Sequence, residues 1–155
     1  MIWKDPTTPD EWTELFKQVQ SDFDKIEIPD VMSIQPGEVL EPSEINVEIV
    51  KTAKAFRETG SIKDRARRLE ALAKRWYEQA MAKAILEISL GTLRDVYTSD
   101  ELRKAYAENQ AREFRDLWDA SHVLAAAIHD ERQRLYQYRE DLENIGNNAR
   151  WTPRA

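Results

Sequence analysis

Apolar residues along this chain recur at helical rather than alternating spacing. Trp12, Leu15, Phe16, Val19 and Phe23 fall at i, i+3, i+4, i+7 and i+11, so they line one face of a helix. Thr8 can cap that helix, Pro9 suits its first position and Glu11 completes a capping box, with the end expected near Lys25. Residues 26–42 then mix Ile26, Ile28, Val31, Met32, Ile34, Val39 and Leu40 with Pro29, Pro36-Gly37 and Pro42. That mixture predicts an extended connector too apolar to hang free, lying along a helix or against a neighbouring subunit.

A second helix is predicted from about Ser43 to Thr59, with Ile45, Ile49, Ala53 and Phe56 on one face. Gly60 is permissive at a helix end, and Ser61 with Asp64 can start the next helix, so a bend or break is expected at Gly60. Ile62, Ala66, Leu69, Ala73, Trp76 and Ala80 follow at alternating spacings of four and three, a heptad-like coiled-coil seam continued by Met81, Ile85 and Ile88. Gly91-Thr92 stops it. After a turn over Leu93–Tyr97, Thr98 and Glu101 form another capping box, and nothing interrupts the pattern before Gly146. Leu117, Ser121, Leu124, Ile128, Glu131, Leu135, Tyr138, Leu142 and Ile145 keep the same rhythm along that stretch.

The two long stretches, 43–90 and 99–145, match in length, which predicts an all-α fold built on a long antiparallel helical hairpin turning at 91–98. Residues facing each other would have numbers adding to about 190, so Trp76 meets Phe114, Leu72 meets Trp118 and Ile45 meets Ile145. The expected organisation is an N-terminal helix and connector over 1–42, then one folded unit over 43–155 with a C-terminal tail. A two-arm hairpin leaves apolar stripes uncovered, so a homo-oligomer is expected.

Composition narrows the function classes. No apolar run approaches the roughly 20 residues needed to span a bilayer, and Met1–Pro6 lacks the apolar stretch of a secretory leader. With no cysteine, a disulfide framework and thiolate chemistry are excluded, which fits a cytoplasmic protein. No Gly-rich phosphate loop, nucleophile motif or metal-ligand cluster stands out, so neither an enzyme nor a cofactor is expected. His122 and His129 lie seven apart, and Asp119 with His122 has the i, i+3 spacing of half a di-iron site, but no second copy completes it.

Charge is unevenly spread. Residues 1–60 carry 6 Lys/Arg against 13 Asp/Glu, and residues 61–155 carry 17 against 16, within a net −6. The whole chain therefore lacks the basic footprint of a duplex-DNA binder. Locally, Lys63, Arg65, Arg67, Arg68, Lys74 and Arg75 crowd into thirteen residues against only Asp64 and Glu70. Such a stripe can follow a flexible phosphate backbone, and a neighbouring aromatic such as Tyr77 can stack a base. The competing expectation is that these cations pair with the acidic N-terminal segment or with another subunit. A weaker basic group, Arg132, Arg134, Arg139, Arg150 and Arg154, is interrupted by Glu131, Glu140, Asp141 and Glu143.

Ser61-Ile62-Lys63, the basic helix with Leu69-Glu70 and the long alanine-rich continuation resemble the UvsY-type recombination mediators of T-even phages. The stretch from Ala80 to Arg150, with Gly91-Thr92 and Gly146-Asn147-Asn148-Ala149-Arg150, also resembles small helical proteins of actinobacterial phages. Over roughly residues 50–150 the resemblance implies a ring-forming helical accessory protein that binds single-stranded DNA and helps load a recombinase. Lys63, Arg65, Arg67 and Arg68 match that family's basic helix, whereas residues 1–42 match nothing in it. The alternative function is a structural or adaptor protein, a virion component or an inhibitor of a host protein, working through protein contacts alone.

Overall fold

The computed structural model describes residues 3–30 and 41–151. Most of the predicted connector, from Val31 to Leu40, lies outside the described residues, as do Arg154 and the side chains of Arg150 and Trp151. Four α-helices make up the described chain: α1 (Pro9–Asp24), α2 (Pro42–Leu90), α3 (Asp100–Gln110) and α4 (Arg112–Trp151), with a 3₁₀ turn at Thr92–Asp95 between α2 and α3. No helix among the described residues is long and apolar enough to cross a membrane.

Each helix starts for local reasons. At α1 the Glu11 N–H donates to Thr8 Oγ1 at 3.2 Å, half of the predicted capping box. The returning carboxylate bonds one residue earlier than expected, accepting from the Thr7 N–H at 2.9 Å and the Thr7 hydroxyl at 3.1 Å. Those two bonds, the backbone one first, hold the Glu11 carboxyl below its ordinary range. At α3 the cap is Ser99 rather than Thr98; its side chain accepts from the Leu102 N–H at 3.2 Å. Gly91 ends α2 in an extended conformation, φ −113° and ψ −173°.

The chain folds as two compact units, and α1, α2 and α4 each contribute to both. The first unit comprises Met1–Val19 and Arg65–Ala125. Its buried line on α2 follows the predicted seam through Ala66, Leu69 and Ala73 and reaches Ile88, but it passes through Ala84 where Ile85 had been expected; Ile85 is exposed and Trp76, Ala80 and Met81 are half-buried. Facing it are Ala107, Ala111, Leu124 and Ala125. Small side chains dominate this buried set, beside a few large anchors. Trp12 of α1 is the largest of these, 1% exposed, with its indole N–H donating to the Leu69 carbonyl at 2.9 Å. Burying an indole with its donor satisfied adds area without an orphaned polar group. Trp76 meets Phe114 edge-on at 5.9 Å between ring centroids, as the register of about 190 requires.

The second unit comprises Gln20–Asp64 and Ala126–Ala155. Ile45, Tyr138 and Leu142 form its core cluster, with Ile49 and Ile145 packed against it, so Ile45 and Ile145 come together as expected. The buried face of α2 here departs from the predicted one. Thr52 and Thr59 are fully buried, with Ala55 between them, while Ala53 and Phe56 are only half-buried. Threonine can sit there because each hydroxyl returns to its own helix, Thr52 to the Glu48 carbonyl at 2.7 Å and Thr59 to the Phe56 carbonyl at 2.9 Å. Among the described residues no buried side-chain polar atom lacks a partner.

Three predicted boundaries are corrected. The helix does not break at Gly60; α2 runs through it. A side chain at Gly60 would collide with the Arg132 guanidinium, whose Cζ would lie 3.2 Å from an added Cβ. Arg132 uses that opening to donate to the Phe56 carbonyl at 2.6 Å and to lie over the Phe56 ring, Cζ 3.9 Å from the centroid. The glycine serves close approach rather than helix termination. The second arm, expected unbroken over 99–145, is interrupted at Ala111, with φ −95° and ψ 1°. Bonds of 3.0 Å from Ala111 N–H to the Ala107 carbonyl and from Arg115 N–H to the Ala111 carbonyl carry the chain across. Gly146 does not end α4, which runs on to Trp151; an added Cβ there would make an ordinary 3.7 Å contact with Ile45.

This arrangement predicts coupling between Gly60 and Arg132. With Arg132→Met in place, Gly60→Ala should stabilise by about 1 kcal/mol, the helix-propensity gain of alanine over glycine. With Arg132 present, the gain should shrink or reverse, because the guanidinium must leave its carbonyl and ring. Urea unfolding of the four proteins in the cycle measures the difference; equal gains in both backgrounds would contradict the close-approach role.

Candidate functional site

The six predicted cations do not behave alike. Lys63 lies in the second unit and is half-buried, its Nζ 3.0 Å from His129 Nδ1. Arg65 is half-buried too, and both it and Lys63 have further partners within the fold. The competing expectation, that the fold itself engages these cations, thus fits these two.

Arg67, Arg68, Lys74 and Arg75 stand in the first unit and are exposed. Among the described residues none of the four is held in an ion pair. At 3.6 residues per turn, Arg67 and Lys74 come round to within about 20° of each other, and Arg68 and Arg75 form a parallel row about 100° further round. Glu70, the one carboxylate between Arg67 and Lys74, turns towards α4 and lies 2.9 Å from His122 Nδ1.

Beside the Arg67–Lys74 row, the first unit assembles a cluster that sequence reasoning named only through Tyr77. The Tyr77 and Trp118 rings lie 5.6 Å apart at 44°. The Arg115 guanidinium stands 5.5 Å from the Tyr77 centroid and 5.2 Å from that of Trp118. Lys74 Nζ is 5.8 Å from the Trp118 centroid. Asp119 accepts from Arg115 Nε at 3.2 Å, one helical turn on. Tyr77 and Asp119 both favour the charged guanidinium, Tyr77 more strongly, and push Arg115 above its ordinary value. Trp118 thus packs against Tyr77. The i, i+4 spacing of Arg115 and Asp119, on the same helix as Trp118, was the available signal for this cluster.

The remaining candidates are occupied within the fold. Asp119 bonds Arg115 rather than joining His122, and His122 and His129 take Glu70 and Lys63. Among the described residues no group of three or more His, Cys, Asp or Glu could hold a metal ion. In the C-terminal basic group, Arg134 pairs with Glu131, Arg139 with Glu143 at 3.1 Å, and Arg132 with the Phe56 carbonyl. No protein-family model, curated protein or solved structure matches this chain.

Proposed function

We propose that this chain is an oligomeric helical accessory protein of the recombination-mediator kind, acting in the cytoplasm and binding single-stranded nucleic acid beside a recombinase. The observation that carries the nucleic-acid part is the two exposed rows, Arg67 with Lys74 and Arg68 with Arg75, unpaired among the described residues, the first of them bordered by Tyr77 and Trp118. Cations left without a carboxylate are available to phosphates, and displacing counterions from a strand drives such binding. The net charge of −6 argues for a local contact rather than a general affinity for polyanions. The partner and the phage setting rest on the resemblance over roughly residues 50–150.

Affinity for a labelled single strand should fall steeply between about 50 and about 200 mM salt. Replacing Arg67, Arg68 and Arg75 by Ala should weaken binding and reduce the salt slope by roughly two, at about 0.7 per phosphate contact. These exposed helix positions tolerate alanine, so unfolding midpoints should barely move. Fluorescence anisotropy reads both effects. No binding at the lower salt would remove the proposal.

A second reading, an adaptor acting through protein contacts only, is favoured by apolar residues left exposed in the first unit, among them Ile85, Leu86, Leu90, Val96 and Leu102. Under either reading these residues are proposed to meet a second copy of the chain. Sedimentation at micromolar concentration should then give a mass above the 18.1 kDa of one chain, and Leu86→Lys with Leu90→Lys should return it to the monomer. A wild-type protein that sediments only as a monomer would contradict self-association.

A further inference from the structure

We infer that Tyr77, Trp118 and Arg115 form a base-stacking subsite for single-stranded nucleic acid, set beside the phosphate-tracking cations of α2. The inference rests on the nucleic-acid reading above and adds what that reading lacks, a place for the bases. Phosphate contacts alone would treat a strand as a charged thread. A subsite built from two aromatic rings and a guanidinium plane would also take the flat faces of its bases.

Three observations support it. The two rings and the guanidinium lie within 5.2–5.6 Å of one another, the spacing at which flat π-systems and planar cations attract. Tyr77 and Trp118 are only half-buried, and the side chains of Arg115 and Asp119 are 51% and 62% exposed, so the cluster reaches solvent. Lys74 joins the two halves, since it shares the Arg67 row and its ammonium also lies beside the Trp118 ring. A strand with its phosphates along Arg67 and Lys74 has a neighbouring base next to Trp118. Asp119 holds Arg115 at 3.2 Å, which limits the ordering that binding must impose on the guanidinium. Stacking tolerates every base, so the subsite should discriminate bases from no bases, with little preference among sequences.

The test compares two labelled oligonucleotides of equal length and charge, a thymidine homopolymer and its abasic counterpart, binding to the full-length protein at low salt. The wild type should prefer the homopolymer by about tenfold, within the range that stacking of one base supplies. Tyr77→Leu with Trp118→Leu keeps the apolar packing but removes the rings, and should reduce that preference to near unity while leaving abasic affinity within about twofold. Arg115→Gln, a milder change, should reduce the preference partially. Equal wild-type binding of both strands would overturn the stacking subsite and leave the phosphate contact standing. A preference that survives loss of both rings would place stacking elsewhere and likewise overturn it. Binding of neither strand would remove the nucleic-acid reading and this inference with it. The wild-type comparison needs no variant, so a double variant that fails to fold does not blunt the test.

Discussion

Each of the two units depends on a buried four-three seam along α2 or α4 that takes in side chains that are not all apolar. Thr52, Thr59 and Ser121 sit fully buried in that seam. Each is tolerated because its hydroxyl returns to a carbonyl of its own helix; Ser121 reaches both Leu117 and Trp118, at 3.0 and 2.9 Å. An unsatisfied buried hydroxyl would cost on the order of 1–3 kcal/mol, enough to matter against the marginal stability of a small protein. With that cost avoided, the seam can use small residues beside a few large anchors. Two anchoring contacts cross between helices to a mid-helix carbonyl: the Trp12 indole at Leu69 and the Arg132 guanidinium at Phe56.

The same seam sorts the charges. Cations at its margin, such as Lys63 and Arg132, are drawn against the neighbouring helix and serve the fold. Cations further round α2, Arg67, Arg68 and Arg75, are exposed and held in no ion pair among the described residues. Lys74 and Arg115 stand beside the Trp118 ring, and Arg115 also holds the Asp119 carboxylate. The proposed function occupies the part of the surface that packing did not use.

Much of the seam was legible in the sequence, the buried Ser121 included, although Ile85 was expected in it and is exposed. Ile62 to Ala73 and Leu124 to Leu142 are buried at the predicted spacing, and the number-matching rule brought Trp76 to Phe114 and Ile45 to Ile145. It failed where polar residues took core positions. The predicted face on the first turns of α2, drawn through apolar residues alone, ran through Ala53 and Phe56, whereas Thr52 and Thr59 take the buried positions. Gly60 read as a stop because a missing side chain looks the same whether it frees the backbone or admits a neighbour. The rule pairing numbers near 190 would have brought Arg132 to it. Nothing local marks Ala111, which departs from helical geometry without a glycine or proline. Of the candidate site, the cation row was legible from charge density, but the division between engaged and free cations was not. That division depends on which side of the seam each residue falls, and Arg115 needed the partner helix to gain its aromatic neighbours.

The most direct measurement is the response of the tryptophan indole N–H signals and the backbone amides in a proton–nitrogen NMR spectrum as a thymidine oligonucleotide is added. Trp12 supplies an internal control, since its indole is buried and bonded to the Leu69 carbonyl. The account predicts that the Trp118 indole and the amides from Arg67 to Arg75 move together and saturate together, while the Trp12 indole stays in place. Saturating oligonucleotide that leaves Trp118 and that α2 stretch unmoved, or that shifts only the apolar stretch around Leu86, Leu90 and Val96, would contradict it.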